Sequence, residues 1–333
     1  MKRLVLQKPS ELIIDECDKP ILNNSENEVI IRVNACGVCS SDYSRIFKNG
    51  AYFYPLVLGH EFVGTVIEKS KKSKFEIGQR VAVFPLLPCK VCENCQKNFF
   101  TQCIRYSYYG SRENGGLQEF IKIPDWNLLL IDNIPIDIAA TIEPASVAYH
   151  AISLSELKFK NQKILIIGSG IISMYLGIML KNFGYLNVTF MVRNNYKSEL
   201  LIKYGFRVIS SNESMSDYEC VFECVGSNET IVKATTSLGA KGKLILIGNP
   251  SSDIHLNKQE YWNLLRKELV VKGVWNSTYV DDWKSVIDFM KTFDLSIIRD
   301  NISISYNLHE LKDNIINKNN GRINKLKVMW INE

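Results

Sequence analysis

Three residue types that hold zinc recur in this chain at spacings that suit a catalytic ion. Gly59-His60-Glu61-Phe62-Val63-Gly64 sets an imidazole beside a carboxylate between two glycines. Cys36-Gly37-Val38-Cys39-Ser40-Ser41-Asp42 lies upstream and Glu143-Pro144 downstream. A catalytic zinc takes about three protein ligands and keeps a further position open. Cys39, His60 and either Glu61 or Glu143 meet that requirement. Singly, each has a plain reading, Cys39 as a small buried hydrophobe and His60 as a core histidine with its nitrogens satisfied. Together, with glycines that let the backbone approach the metal, they favour zinc. Asp42 is placed to accept a hydrogen bond from His60 and fix its tautomer. Such an ion acts as a Lewis acid on a carbonyl oxygen while hydride reaches the carbon.

A second cluster is local. Cys89-x2-Cys92-x2-Cys95-x7-Cys103 offers four thiolates within a short, otherwise polar stretch, the ligand set of a structural tetrahedral zinc. Metal, rather than an apolar core, would hold the lobe at 85–105 together. Unpaired loop cysteines are the plain alternative, and the spacing argues against them. A nucleic-acid-binding zinc ribbon would need basic and aromatic surface that this stretch lacks. The odd total of nine cysteines, with no apolar leader after Met1-Lys2-Arg3, favours metal over a disulfide framework.

Gly168-Ser169-Gly170-Ile171-Ile172-Ser173 follows a β-branched run and opens a helix-like run, the context a dinucleotide fingerprint requires. Its glycines allow the tight turn and the approach of a pyrophosphate to the helix N-terminus. Ser173 stands where the third glycine is usual and is small enough for close packing. Enzymes that use NAD place an acid at the end of the second strand. Here Val192-Arg193-Asn194-Asn195-Tyr196-Lys197 has none before Glu199. Without a repelling carboxylate, Arg193 and Lys197 suit a 2′-phosphate, so NADP(H) is favoured over NAD(H). Exposed loop cations are the competing reading. Ile171, Ile172, Cys224 and Gly248 complete the candidate cofactor contacts.

The elements that must carry these groups divide in two. With 333 residues, 46% hydrophobic and 23% charged, the chain is long enough for two ordinary globular domains. Short alternating runs at Val29–Val33, Val63–Ile67 and Arg80–Phe84 make the first part β-rich, barrel-like or partly open. From Lys163 a strand–helix rhythm begins, with strands expected at 163–167, 187–192, 206–209, 220–223, 243–247 and 269–273. The link from Ile209 to Cys220 leaves little room for a crossover helix. A helix at 282–292 and a strand at 325–331 are expected to return to the first domain. The expected boundaries are 1–145 with 278–333 for the β-rich domain and 146–277 for the nucleotide domain. The uncharged run 164–180 is broken by glycines and reads as strand, turn and helix rather than a membrane span. A net charge of +5 without a basic block argues against nucleic-acid and membrane partners. A soluble, cytoplasmic protein is expected.

The chain resembles the zinc-dependent medium-chain dehydrogenase/reductases, the group of alcohol and sorbitol dehydrogenases, and within it the polyol-phosphate dehydrogenases. The likeness runs nearly end to end. It is carried by Arg45-Ile46-Phe47-Lys48-Asn49-Gly50-Ala51, Tyr54-Pro55, Leu58-Gly59-His60-Glu61-Phe62, Pro85-Leu86-Leu87-Pro88-Cys89, Gly110-Ser111-Arg112, Glu143-Pro144 and Arg266-Lys267-Glu268-Leu269. The resemblance implies an α/β protein with a GroES-like β-rich catalytic domain and a Rossmann-type doubly wound parallel sheet. It implies two zinc ions per chain, one on Cys39, His60 and Glu143 and one on the four-cysteine lobe. Glu61 would be a ligand or near-ligand that exchanges with substrate, and Ser41 the proton-relay hydroxyl. Val192 stands where close relatives carry Asp. An open-chain polyol phosphate and its ketose phosphate are the implied substrates, with Arg45, Lys48 and Arg112 as candidate phosphate ligands. Tyr52, Trp275 and Asn276 are candidate polyol contacts, and a homodimer or homotetramer is expected. NADPH would favour ketose-phosphate reduction. NAD-dependent oxidation of galactitol 1-phosphate, or of unphosphorylated sorbitol-like or simple alcohols, is the rival chemistry. A zinc-stabilised binding protein without catalysis would need to have lost Cys39, His60 or the glycine loop, and all are present.

Overall fold

The fold was analysed in a computed structural model that describes every residue except 211, 212, 214, 215, 251 and 333. The chain separates into two units, Met1–Glu143 with Thr278–Glu333, and Pro144–Ser277.

The first unit is built on the strand Glu28–Val38, whose Val29, Ile30, Ile31, Val33, Ala35 and Cys36 are fully enclosed. Alternation was expected here. Instead the strand is buried on nearly every residue, which marks a central strand with both faces covered. Glu61–Lys69 pairs antiparallel along one edge, while Phe120–Pro124 and Lys327–Ile331 share the other. Arg80–Val83 and Leu128–Leu130 extend the sheet on one side, and Ile302–Ser305 ends it on the other. A smaller sheet joins Lys2–Lys8, Glu11–Glu16 and Leu56–Val57.

The helix Leu308–Asn319 starts where the Asn307 side chain accepts a hydrogen bond from the Glu310 amide. Its Leu308, Leu311 and Ile315 lie three and four apart, so one apolar face meets the core of Leu4, Leu6, Ile31 and Val66. Each such enclosed side chain contributes about 1.5–3 kcal/mol of burial.

In the second unit six strands are all parallel. Their spatial order is Arg207–Ser210, Val188–Val192, Ile164–Ile167, Tyr218–Glu223, Leu238–Leu246, Val270–Gly273. The order reverses beside Ile164–Ile167, and in open sheets ligands bind beyond the strand ends at that switch. Five strands start within about two residues of expectation; Leu238–Leu246 begins earlier, because Tyr218 already pairs with Leu238 across a register shift. The link between Ser210 and Tyr218 lies partly outside the described residues. Among the described residues no helix is long and apolar enough to cross a membrane.

Candidate zinc centres and nucleotide loop

Register brings the first site together. The strand Glu28–Val38 ends just before Cys39, which N-caps the helix Ser40–Phe47, and Gly37 pairs across the sheet with Glu61. One ligand atom each from Cys39, His60 and Glu61 falls within 4.8 Å of the others. Sulfur, nitrogen and carboxylate oxygen are the donors zinc takes. The bracketing glycines serve a different purpose from the expected approach to metal. A Cβ on Gly59 would stand 2.5 Å from Cys36 Sγ, and one on Gly64 would stand 2.5 Å from the Arg32 carbonyl oxygen. They let the strand close on its neighbours, and Gly59 also turns the chain at φ +96°.

The site is prepared for positive charge. Burial alone would disfavour an imidazolium at His60, but the negative charges of Asp42 and Cys39 raise its pKa well above the usual value. Asp42 pays the same burial cost and is nevertheless held low by His60 and Arg45. Asp42 Oδ1 stands 3.6 Å from His60 Nδ1, an ionic contact rather than a closed hydrogen bond, and its Oδ2 accepts from the Cys39 amide at 3.0 Å. The other imidazole nitrogen, Nε2, is the one left to face a metal.

Glu143, in the first turn of the helix Ile142–Ser155, lies outside the three-residue ligand cluster. The Tyr108 hydroxyl donates to its carboxylate at 3.2 Å. Burial pushes the Glu143 carboxyl up to about 7, with Glu61 adding to the rise and His60 opposing it. Two residues here were not anticipated from the sequence. Tyr108 meets the His60 ring edge-on at 5.7 Å between centroids. Lys327 is 2% exposed and ion-pairs with Glu61. The one sequence signal for it is a lone charge in the apolar closing strand Lys327-Val328-Met329-Trp330-Ile331.

The remaining candidates differ in how free they are. Ser41 Oγ accepts from an Arg45 guanidinium nitrogen at 2.9 Å, and that nitrogen also reaches Asp42 at 3.2 Å. Through Nη1, Arg45 thus ties Ser41 and Asp42 together beside Cys39. Lys48 is exposed just after the helix. The guanidinium carbon of Arg112 lies over the rings of Tyr52 and Tyr106, at 4.4 and 4.7 Å from their centroids. In the second unit Trp275 is exposed and Asn276 has a left-handed backbone, φ 57°.

In the lobe, one sulfur from each of Cys89, Cys92, Cys95 and Cys103 lies within 4.8 Å of the rest. Phe100 and Tyr106 pack against them. The Val91 amide, with that of Cys92, pulls the Cys89 thiol down to about 6, while burial and the neighbouring thiols push Cys95 up to about 12. Metal binding needs deprotonated thiols, and the four sulfurs differ in how readily they would give up a proton.

In the second unit Gly170 N-caps the helix Ile171–Asn182, so Ile171 and Ile172 supply its first amides. Gly168 has φ +117°, a turn that favours glycine, and a Cβ on Gly170 would meet nothing within 4 Å. That open approach suits a pyrophosphate at the helix N-terminus. Ser173 is 1% exposed and packs inward, as its size allows. Val192 ends the second strand, buried; Arg193 is exposed; Asn194 caps the helix Asn195–Lys203 by accepting from the Lys197 amide. Burial lowers the pKa of the Lys197 ammonium. Cys224 directly follows the strand Tyr218–Glu223, Gly248 comes two residues after the strand Leu238–Leu246, and the backbone of Gly248 packs on that of Gly226. Glu223, fully buried, binds the Val225 and Gly226 amides and shapes this loop.

Comparison with known proteins agrees with this architecture. The family model "Alcohol dehydrogenase GroES-like domain" matches residues 25–133, and "Zinc-binding dehydrogenase" matches residues 172–292. Galactitol 1-phosphate 5-dehydrogenase of Escherichia coli strain K12 is 33% identical over 272 residues, 78% of each chain. L-threonine 3-dehydrogenase of Vibrio parahaemolyticus is 26% identical over 99% of each chain. The crystal structure of galactitol-1-phosphate dehydrogenase from Escherichia coli superposes with a TM-score of 0.92 at 29% identity, covering 99% of this chain and 100% of that one. The chain therefore belongs to the zinc-dependent medium-chain dehydrogenase/reductase family, with a GroES-like domain and a Rossmann-type domain, and is an oxidoreductase acting on CH–OH donors.

Proposed function

We propose that this enzyme interconverts a polyol phosphate and its ketose phosphate with NADP(H), running toward reduction. The observation that carries the substrate class is Arg112. Its guanidinium lies over the rings of both Tyr52 and Tyr106 on an exposed residue, and a guanidinium is the group best suited to take a phosphate bidentately. The 33% identity to an enzyme named for galactitol 1-phosphate points the same way. The missing acid at Val192, with Arg193 and Lys197 beside it, carries the cofactor preference.

Cys39, His60 and one or both of Glu61 and Glu143 would hold the catalytic zinc, and the four lobe cysteines a structural one. Bound there, zinc supplies a Lewis acid for the substrate oxygen. NADPH, if bound at the glycine turn, would supply the hydride for reduction and leave as NADP+, and the substrate oxygen would then need one proton. Ser41 delivers that proton, and the guanidinium of Arg45 holds its hydroxyl in place. Asp42 fixes the His60 ring, Arg112 anchors the phosphate, and the Gly168–Gly170 turn receives the pyrophosphate. NAD-dependent oxidation of galactitol 1-phosphate is the second reading, favoured by that same relative.

A screen of ketoses and ketose phosphates with NADPH and NADH on zinc-loaded protein tests both. Turnover of a phosphorylated ketose with NADPH is expected. Arg112→Ala should raise its KM about tenfold or more while leaving the unphosphorylated analogue unchanged. No turnover of any phosphorylated ketose sinks the substrate class, and a higher kcat/KM with NADH sinks the cofactor preference.

A further inference from the structure

A groove of about 640 Å³ lies within the first unit, and none of its lining residues belongs to either metal-ligand cluster. It runs along Leu128–Leu130, the strand that ends the large sheet, and the helix Asp281–Thr292. Its aromatic wall is held by packing. The Tyr279 ring stacks on Phe84 at 4.6 Å and tilts over Trp126 at 4.5 Å between centroids, and Trp283 meets Phe84 edge-on at 5.4 Å. The Tyr279 hydroxyl donates to the Trp126 carbonyl oxygen. Leu129, Leu130 and Ile287 add aliphatic lining, and Leu130 is 42% exposed. A concave, mostly apolar surface of this volume falls in the range of about 300–1,000 Å³ that small-molecule sites occupy.

The charged groups of the groove are mostly of one sign. Lys284, Asp288 and Lys291 are four and three residues apart, so one face of the helix carries all three, and Lys74 joins them from the loop before Arg80–Val83. Asp288 Oδ1 pairs with Lys291 at 3.2 Å. Among the described residues neither Lys74 nor Lys284 has an acidic side chain against its ammonium; that of Lys74 lies over the Phe75 ring. Lys90 adds a further ammonium 4.9 Å from the centre of the Trp126 ring. We propose that this groove binds a free, straight-chain aliphatic carboxylate. The chain lies against Trp126, Tyr279, Leu129 and Leu130, and the head group is taken by Lys74 and Lys284. Lysine is a compact point charge, which suits a single small anionic head; a neutral chain would forgo that attraction, and a cationic one would be repelled. The site is independent of the zinc centres and of which alcohol or cofactor the enzyme uses.

The test is isothermal titration calorimetry of the zinc-loaded protein with hexanoate, octanoate and decanoate below their micelle concentrations. Decan-1-ol and decyltrimethylammonium serve as the neutral and cationic comparisons. One saturable decanoate site per chain is expected, with affinity rising about fourfold per added methylene as the chain is buried. Decan-1-ol should bind more weakly than decanoate, and decyltrimethylammonium more weakly still. Lys284→Glu should weaken decanoate about tenfold or more and leave decan-1-ol unchanged, because only the charge is reversed. Leu130→Asn should weaken both. Lys284 and Leu130 are exposed, so native circular dichroism is expected of each variant, and Lys74→Glu, also at an exposed position, carries the charge test if Lys284→Glu does not fold. Absence of saturable binding, or an affinity independent of chain length, would overturn the proposal. So would decanoate binding that the folded variants leave unchanged, which would put the carboxylate elsewhere, on a zinc ion for example. A dimer in sedimentation analysis that Leu130→Asn dissociates and decanoate does not would make the groove a contact between copies, and would overturn it as well.

Discussion

The two metal-ligand clusters of the first unit are built in opposite ways. The lobe takes Cys89, Cys92, Cys95 and Cys103 from one continuous stretch, held by short turns and the amides of Val91 and Cys92. The other centre takes Cys39 from just past the end of one strand and His60 and Glu61 from the start of another; Glu143, on a helix, lies outside that cluster, and a lysine from the last strand pairs with Glu61. In the first, among the described residues only Phe100 and Tyr106 pack against the cysteines, so a metal there would be expected to hold the lobe together. The second is positioned by strand register, with Asp42, Glu61 and Lys327 all buried around it. A centre of the first kind supplies stability, and one of the second kind supplies reactivity.

That contrast predicts unequal losses. Removing one lobe ligand, Cys92→Ser, should forfeit most of a zinc-binding free energy on the order of 10 kcal/mol and unfold 85–105. Zinc content falling from two to one per chain, with new protease cleavage near the cysteines, would be the readout. Cys39→Ser should instead lower kcat/KM about a thousandfold or more while the far-ultraviolet circular dichroism stays native, because the sheet persists without the metal. If it unfolds the protein as Cys92→Ser does, the contrast fails. Asp42→Asn should keep the fold and cost about 10- to 100-fold in activity and in metal affinity, since the orientation of His60 is lost.

In the second unit, Val192→Asp should lower kcat/KM for NADPH on the order of 10- to 100-fold through repulsion of the 2′-phosphate, and leave NADH less affected. Acid should act on the lobe in a graded way. Cys95, raised to about 12, must release a proton to bind metal, whereas Cys89, lowered to about 6, is already mostly ionised at pH 7. Zinc affinity should therefore rise with pH through the neutral range, about tenfold per pH unit for each proton displaced. Below pH 6 Cys89 also takes up a proton, so the slope should steepen. Competition titrations with a chelating dye between pH 5.5 and 8 would show it.

Local spacing was readable where a few neighbouring residues suffice. The lobe, the glycine turn at Gly168–Gly170 and the parallel strands could be read because thiolate turns, tight turns and buried β-branched runs leave signatures within about ten residues. Lys327 could not be placed in this way. No spacing in the chain points to its partner, because Glu61 is 266 residues away. Arg45 looked like a free cation because its engagement with Ser41 and Asp42 depends on the helix geometry that places residues three and four apart on one face. The glycines flanking His60-Glu61 were read as making room for metal, whereas the atoms they avoid are Cys36 Sγ and the Arg32 carbonyl oxygen, contributed by the neighbouring strand.

The sequence by itself therefore determined the family, the two-part α/β architecture, the tetrathiolate lobe and the residue types at the second centre. Each depends on chemistry or periodicity carried by nearby residues. Tertiary structure alone decided which carboxylate faces a cation and which a hydroxyl, and which arginine stays available. Those outcomes are set by strand register across the sheet, where a shift of one residue would turn Glu61 to the opposite face.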